Sequence, residues 1–332
     1  MDDFKKKSLL EVKKMAIEEL VKYYSELRKY NYHKGKTLNF IEFRKKIHFL
    51  VSIILKVDQL LSKEKIVILN DLHNTDSNRS RIYACTHIGG NDIQRTFQVI
   101  KEPAYLMLGD PGILYKKIIY QGLKMNGVIP LETSDKEDRN IAYNRSVELL
   151  RKGGHLLIYP EGAWNVSPNL IVMKIFNGTV RMAQETGSEI IPIAVEQYGK
   201  TFYFNVGKNY TIPENSSKSI KELTADLRDK LVTLKWDIMI TQEELKRKDI
   251  SDDYLQQFQD EIIERCNYGY GFSLEDAIRE SYQDKSITTE DEVFSFLENI
   301  EISNHNAFLM KDKIEFRQKQ KDNLRLCMRE MN

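Results

Sequence analysis

The sequence is poor in the features that mark membrane-spanning, secreted and metal-binding chains. Its most apolar early run, residues 47–57, is interrupted by a histidine, a serine and a lysine, and a bilayer needs about 20 apolar residues. The N-terminus is charged and lacks the apolar core of a secretory signal. The 3 cysteines are far apart and match no zinc-binding spacing. We therefore expect a chain that crosses no membrane, binds no metal and works in a reducing cytoplasm.

The chain also has no G-x-S-x-G nucleophile elbow, no internal repeat and no low-complexity tract. What is present is a globular composition, with 41% hydrophobic and 30% charged residues. The net charge of +1 conceals an asymmetry, because residues 1–48 carry 13 basic and 7 acidic residues while residues 241–310 carry 6 and 17. A basic N-terminus favours contact with an anionic surface.

From residue 65 onward, short apolar runs alternate with amphipathic stretches. The predicted strands are 65–69, 82–86, 104–108, 127–131, 155–159, 190–195 and 202–206. The predicted helices between them are 92–100, 112–125, 137–152 and 176–186. Alternation of this kind indicates an α/β fold with a mostly parallel sheet flanked by helices on both faces.

Helical segments are predicted on both sides of this region. Apolar residues at spacings of three and four indicate amphipathic helices over 8–29 and 40–61, which either pack on the core or lie on a membrane surface. Residues 216–332 read as four or five polar helices, with breaks near 267–271 and 303–304. We therefore predict an N-terminal amphipathic segment (1–62), an α/β domain (63–212) and a helical C-terminal extension (213–332).

A strand, a glycine turn and a helix meet between residues 81 and 92, where the chain reads RIYACTHIGGND. His87 follows the strand, Gly89 and Gly90 form the turn, and Asn91 with Asp92 opens the helix as an N-cap. Ligands of open α/β sheets bind at the carboxyl ends of strands. An aspartate here can fold back on the imidazole and fix its tautomer. The pattern predicts a base, His87, oriented by Asp92; the alternative is a histidine bonded to a loop carbonyl.

A second junction of the same type lies about seventy residues further on. Residues 156–165 read LLIYPEGAWN, an apolar strand followed by a turn that carries Glu161 and Gly162. The two stretches, in this order, resemble the glycerolipid (lysophospholipid) acyltransferase family of the 1-acylglycerol-3-phosphate type. That family carries a His-x-x-x-x-Asp motif followed by Pro-Glu-Gly-Thr, and two matching junctions are more specific than either one.

The resemblance covers residues 60–212 and also rests on residues 109–131 and the proline-containing run 190–195. It implies an acyltransferase that moves a fatty acyl group from a thioester to a hydroxyl of a lysolipid, with His87 as general base. Glu161 then organises the acceptor pocket. Backbone N–H groups near Gly89 and Gly90, or at Gly162, are candidate donors to the oxyanion.

Two positions depart from the family pattern. Glu132 stands where the family commonly has an arginine that binds the acceptor's phosphate, and Trp164 stands where an arginine is frequent. Trp164 provides instead an apolar, ring-stacking surface. Lysophosphatidic acid is therefore not the acceptor we expect to be preferred. The basic residues that could restore the lost charge, each alternatively a solvated surface residue, are Lys116, Lys117, Arg139, Arg145 and Lys174.

The resemblance implies no cofactor, with acyl-coenzyme A or an acylated carrier protein as co-substrate. The expected partners are a lipid acceptor at a membrane surface and, if it is the donor, acyl carrier protein, but no nucleic acid; the sequence does not determine the oligomeric state. The expected location is cytoplasmic, peripheral to the inner face of the membrane. The alternatives are acylation of a glycolipid or another non-phosphate acceptor, a non-catalytic lipid-binding or scaffolding relative, and an α/β hydrolase, which the missing elbow disfavours.

Overall fold

A mostly parallel seven-stranded sheet forms the centre of the protein. The computed structural model describes residues 4–109, 115, 124–168, 170–242, 250–266 and 273–281. In chain order the strands are β1 (Lys65–Asp71), β2 (Arg81–Cys85), β3 (Ala104–Gly109), β4 (Val128–Leu131), β5 (His155–Ile158), β6 (Glu189–Tyr198) and β7 (Thr201–Val206). Their order across the sheet is β1-β7-β6-β2-β5-β3-β4, and every neighbouring pair is parallel except β6 with β7. The predicted strands and the α/β fold class are confirmed.

The central strand β2 is buried on both faces of the sheet. Ile82 and Ala84 belong to the hydrophobic cluster on one face, and Tyr83 and Cys85 belong to the cluster on the other. Successive side chains of a strand point to opposite faces, so a strand covered on both sides reads as a continuous apolar run. This burial explains why the segment that leads to His87 has no polar alternation.

Helices cover both faces of the sheet. They are α1 (Leu9–Lys14), α2 (Ile17–His33), α3 (Ile41–Ser62), α4 (Asp92–Ile100), α5 (Lys136–Arg151), α6 (Gly178–Thr186), α7 (Ile220–Met239), α8 (Tyr254–Cys266) and α9 (Leu274–Glu280). Side chains of α5, α6 and α7, with Ile41 of α3, enter one core cluster, and those of α4, with Leu55 of α3, pack in the other. The predicted helix over 112–125 and the predicted breaks near 267–271 and 303–304 lie outside the described residues, apart from 115 and 124–125.

The prediction of one helix over residues 8–29 is wrong. The chain is extended at Met15 and Ala16, which separates α1 from α2. The carboxylate of Glu19 accepts a hydrogen bond from the backbone N–H of Ala16 (3.1 Å), and such a bond satisfies an amide that a new helix start leaves without an intrahelical partner. The apolar periodicity continues across the break, so the sequence pattern did not reveal it.

Backbone contacts divide the chain into Met1–Tyr282 and Gln283–Asn332, and every described residue belongs to the first unit. Within it, α2 lies against α5 and α7 lies against β6 and β7. The predicted segment boundaries at residues 62 and 212 stay a prediction. Among the described helices, none combines the length and the apolar character that a membrane crossing requires.

Arg95 connects α4 to the end of α3 through a buried ionic network. Its side chain is fully buried, with Nε 2.6 Å from Glu64 and an Nη atom 2.7 Å from Asp58. Removing one partner of a buried ion pair leaves the other charge uncompensated, which costs about 3–5 kcal/mol. Exposed pairs are worth about 0–1 kcal/mol.

We therefore expect Arg95→Met to lower the free energy of unfolding by about 3–5 kcal/mol. Urea denaturation measures the change. Arg151→Met is the matched control, because Arg151 pairs at 3.0 Å with Glu185 on the surface, and it should cost about 0–1 kcal/mol. Equal effects of the two substitutions would show that the Arg95 network contributes no more than a surface pair.

Candidate active site

The turn after β2 brings His87 to the carboxyl edge of the sheet. Thr86 continues the pairing with β6: its backbone N–H donates to the Ile193 carbonyl, and its hydroxyl accepts from the Val195 N–H, each at 3.0 Å. Gly89 and Gly90 both have positive φ values, 81° and 63°, in a region that side chains other than glycine rarely adopt. The chain can therefore reverse within four residues and begin α4 at Asp92.

The carboxylate of Asp92 holds this turn and the histidine together. Its Oδ2 atom lies 2.7 Å from His87 Nδ1 and accepts from the backbone N–H groups of Ile88 and Gly89, each at 2.9 Å. Asp92 is fully buried. Asn91 is the N-cap residue of α4, as expected, but its side chain does not accept from the helix; its amide NH2 donates to Glu64 (2.8 Å). The structure thus joins His87 to the aspartate, and not to a loop carbonyl.

The His87 ring is oriented by contacts on its faces as well as by Asp92. The ring of Tyr159 lies 4.2 Å from the imidazole centroid, and Trp164 approaches edge-on at 6.1 Å. Because Nδ1 is engaged by a carboxylate, Nε2 is the nitrogen left for a substrate, and it has no hydrogen-bond partner in the part of the chain that the structure describes. An imidazole held in this way can accept a proton at Nε2.

Glu161 holds the backbone of His87 and that of Met173. Its Oε1 atom accepts from the backbone N–H of His87 (3.0 Å) and its Oε2 atom from that of Met173 (2.8 Å). Burial raises the pKa of the Glu161 carboxyl, while Lys235 and the two amide donors act in the opposite direction. Glu161 therefore connects the backbone that follows β2 to the segment around Met173.

Of the three glycines predicted to supply oxyanion donors, two have amides that are already used. The Gly89 N–H donates to Asp92, and the Gly162 N–H donates to the Tyr159 carbonyl (3.0 Å). The Gly90 N–H makes no hydrogen bond to any described residue. Gly90 thus remains as the candidate donor beside His87.

A family model described as "Acyltransferase" matches residues 66–196, the segment that contains the whole His87–Asp92 turn and Glu161. Residues 66–196 are thus similar to the acyltransferase family. The chain is 27% identical over 165 residues to a chloroplastic 1-acyl-sn-glycerol-3-phosphate acyltransferase of Arabidopsis thaliana, a match that covers 49% of this chain and 45% of that protein. It is 29% identical over 97 residues to one of Brassica napus, with 29% and 28% covered. The chain thus spans less than half the length of either relative.

A crystal structure of the 1-acyl-sn-glycerophosphate acyltransferase PlsC from Thermotoga maritima is also similar to this chain. The superposition has a TM-score of 0.49 at 14% sequence identity, and it covers 69% of this chain and 92% of that one.

Outside the family match, the C-terminal helices contact the acyltransferase segment next to the site. Ile262 of α8 and Ala277 of α9 are buried against Val166, and Trp164 packs on the same cluster. The Asn165 N–H donates to the His87 carbonyl (3.0 Å). Trp164 is therefore held between the histidine and the C-terminal helices, in a place that its sequence position alone did not indicate.

Arg139, one of the basic residues predicted to replace the missing arginine, is not brought to His87. Lys116 and Lys117 lie outside the described residues. Arg139 donates to the carbonyl of Thr133, beyond β4, and β4 is three strands from β2, about 14 Å across the sheet. The carboxylate of Glu132 accepts from the N–H and hydroxyl of Ser134 (3.0 and 2.8 Å), so it shapes the turn that leads into α5.

Sequence reasoning missed two cations near the site, both from the C-terminal segment. Lys235 of α7 is buried close to Glu161. Arg265 of α8 lies 3.5 Å from the side-chain oxygen of Gln197, and that oxygen lies next to Gly90. Each belongs to an amphipathic helix, where a lysine or arginine is usually a solvated residue, so only the packing singles them out. Among the described residues, no group of three His, Cys, Asp or Glu side chains is placed to hold a metal ion.

Proposed function

We propose that the protein is an acyltransferase that moves a fatty acyl group from an acyl thioester to a hydroxyl of a lysolipid-like acceptor. The observation that supports it most is the contact of 2.7 Å between His87 Nδ1 and Asp92 at the carboxyl end of β2, within the segment that is similar to the acyltransferase family. The names of the two plant relatives point to the same reaction class. Acyl-coenzyme A and an acylated carrier protein remain equally suitable donors.

The geometry suits direct transfer. An alcohol becomes a competent nucleophile when a base removes its proton during attack, and His87 Nε2 is the atom that takes this proton. The alcohol oxygen bonds to the thioester carbonyl carbon, and the carbonyl oxygen becomes an oxyanion next to the Gly90 N–H. When the tetrahedral intermediate collapses, the carbon–sulfur bond breaks and the imidazolium returns its proton to the leaving thiolate. Asp92 stabilises the imidazolium without itself being protonated.

We expect His87→Ala to lower kcat by about 10²–10⁴-fold and Asp92→Asn to be severe but to leave measurable activity. The first change removes the base, and the second disturbs only its tautomer and orientation. Turnover of an acyl thioester with a lysolipid, measured by release of free thiol, tests both variants.

His73→Ala is the matched control. His73 also contacts an aspartate, Asp71, but it follows β1, whose carboxyl end lies at the opposite edge of the sheet. The control should keep wild-type turnover. Wild-type turnover in purified His87→Ala would contradict the mechanism. If the wild-type protein is inactive with every lysolipid tested, that result would favour a non-catalytic lipid-binding relative.

We also propose that the protein associates peripherally with an anionic membrane through the outward face of α3. Apolar side chains along this face and just before it are 48–79% exposed; they are Phe40, Phe43, Phe49, Leu50, Ile53, Ile54, Val57, Leu60 and Leu61. Lysines lie among them, at positions 45, 46, 56 and 63. An exposed apolar patch of this extent usually marks an interaction surface, and a helix with apolar and basic residues suits the headgroup region.

We expect Ile54→Ser together with Leu61→Ser to reduce sedimentation with anionic phospholipid vesicles at low salt. High salt should weaken binding of the wild type, because exposed charges are screened. Ile240→Ser, at an exposed apolar residue just after α7, is the control that should bind as the wild type does. If the α3 double variant also binds normally, the α3 face is not the surface that binds the membrane.

For the acceptor, we propose that a neutral or phosphodiester lysolipid, or a glycolipid hydroxyl, is preferred to lysophosphatidic acid. The carboxylate of Glu132 is used within its own turn, and the Trp164 ring lies 6.1 Å from that of His87 in a T-shaped arrangement. Neither side chain offers the paired, charge-assisted hydrogen bonds with which an arginine binds phosphate. The names of the plant relatives point the other way, so the acceptor requires a direct test.

We expect a side-by-side assay with one acyl donor to rank lysophosphatidic acid below at least one uncharged or phosphodiester acceptor. A tenfold advantage for lysophosphatidic acid, equal to about 1.4 kcal/mol, would contradict the proposal. Arg265 would then be the first cation to substitute, because it lies beside Gln197 and the Gly90 turn.

A further inference from the structure

Helix α7 carries a lysine at a position of its buried stripe. Leu223, Leu227 and Leu231 are spaced by four and enter the core, and the next residue of this series is Lys235. Residues four apart lie on one face of a helix, so Lys235 also points into the protein, where its side chain is 6% exposed. Lysines are almost never buried to this extent without a partner. Its burial therefore calls for a reason.

The ammonium of Lys235 lies among carboxylates beneath the site. Its Nζ atom is 3.1 Å from the carboxylate of Glu196 on β6, and the buried carboxylate of Glu161 also interacts with it electrostatically. Burial acts against the charged lysine, but the two carboxylates outweigh it and hold the pKa of Lys235 above its usual value. Lys235 is thus a permanent positive charge inside the protein.

Several titratable groups surround this charge. Glu161 is faced by Lys235 and His87. Lys235 is also faced by Glu196 and Cys85. Asp92 and Tyr159 complete the buried group around Cys85. The carboxylates of Glu161 and Glu196 thus share one buried ammonium, whereas Asp92 is paired with His87. Burying a carboxylate without a compensating charge drives it to take up a proton. Glu161 is the carboxylate most affected, because it lacks a direct salt bridge.

The protonation state of Glu161 matters for the position of the histidine. An ionised carboxylate accepts at both oxygens, as Glu161 does from the N–H groups of His87 and Met173. A protonated carboxyl places an O–H donor at one oxygen, where it would face a backbone N–H donor. The bond to one of these two amides would weaken, and the backbone that presents His87 would be released.

We propose that Lys235 is a positioning residue for the acyl transfer: its buried ammonium keeps Glu161 ionised, so that Glu161 holds the backbone of His87 in place. This inference rests on the proposed function for its kinetic readout. It assigns a role in the active site to a helix that lies outside the acyltransferase-family segment. Lys235 itself does not contact the reacting atoms.

The test is the pH profile of kcat/KM for Lys235→Met, an uncharged side chain of similar length. Without the ammonium, Glu161 should protonate at higher pH, so the acid limb of the profile should move upward by about 1 pH unit or more. At alkaline pH, where Glu161 ionises again, the variant should recover most of its kcat/KM. A merely structural loss would lower kcat/KM equally at every pH.

Two further backgrounds separate Glu161 from the other groups. With Glu196→Gln, the salt bridge is absent from the start, and Lys235→Met should still shift the acid limb. With Glu161→Gln, no ionisable group remains at that position, so Lys235→Met should shift nothing. A shift that persists with Glu161→Gln would arise from His87 or another neighbour and would overturn the inference, as would a shift that disappears with Glu196→Gln. If Lys235→Met alone fails to fold, the double variant with Lys235→Met and Glu196→Gln can be used. It removes one charge of each sign and so keeps the buried charges balanced.

The same variants distinguish failure of the inference from failure of the proposed function. If the wild type is active but Lys235→Met has a normal pH profile, only the inference fails. If the wild type is inactive, the pH dependence of unfolding still tests the coupling. A raised pKa of Glu161 in the folded state contributes stability at low pH that is lost as the pH rises through it. In the Glu196→Gln background, which lacks the carboxylate that pairs directly with Lys235, Lys235→Met should therefore lose stability as the pH rises. This extra loss should vanish when Glu161→Gln is added, and an unchanged dependence would overturn the inference.

Discussion

One carboxylate oxygen determines the geometry of the candidate site. Oδ2 of Asp92 accepts from the imidazole of His87 and from the backbone N–H groups of Ile88 and Gly89. Because these three donors belong to consecutive residues of a single turn, the aspartate fixes both the ring and the backbone from which it projects. Asp92 is itself held because it begins α4, which Arg95 connects to α3. The orientation of the base thus depends on a local turn that is supported by distant packing.

Glu161 extends this arrangement from one strand to its neighbour. It follows β5 and accepts from the amide of His87, which follows β2, so the two motifs contact each other directly across the sheet edge. Parallel pairing brings the carboxyl ends of these strands to the same edge. Each buried carboxylate needs donors or a nearby positive charge, and the C-terminal segment supplies that charge through Lys235. The segment that matches the family model, residues 66–196, and the C-terminal helices therefore contribute to one electrostatic unit.

Prediction from the sequence was most accurate where a residue's structure depends on its near neighbours in the chain. The strands and α4 follow from apolar periodicity, and the turn at His87 follows from Gly89 and Gly90. The break at Met15 was missed because a backbone amide is satisfied there by a side chain, Glu19, without any change in the apolar pattern. The role of Glu132 in its own turn was also missed, since a glutamate reads equally well as a turn residue and as a lost phosphate ligand.

The sequence by itself determined the α/β class, because strands and helices alternate along the chain from residue 65 onward. It also determined the two strand-to-loop junctions and the pairing of His87 with Asp92, because each of these is encoded within about ten consecutive residues. Only the tertiary structure decided which amides remain available beside His87, where Trp164 packs, and that Lys235 is buried. A buried lysine on an amphipathic helix looks like a solvated one in sequence. Its environment is made by β6 and by the turn after β5, about forty and seventy-five residues earlier in the chain. The identity of a side chain is local, whereas its charge environment is set by the elements that the fold packs around it.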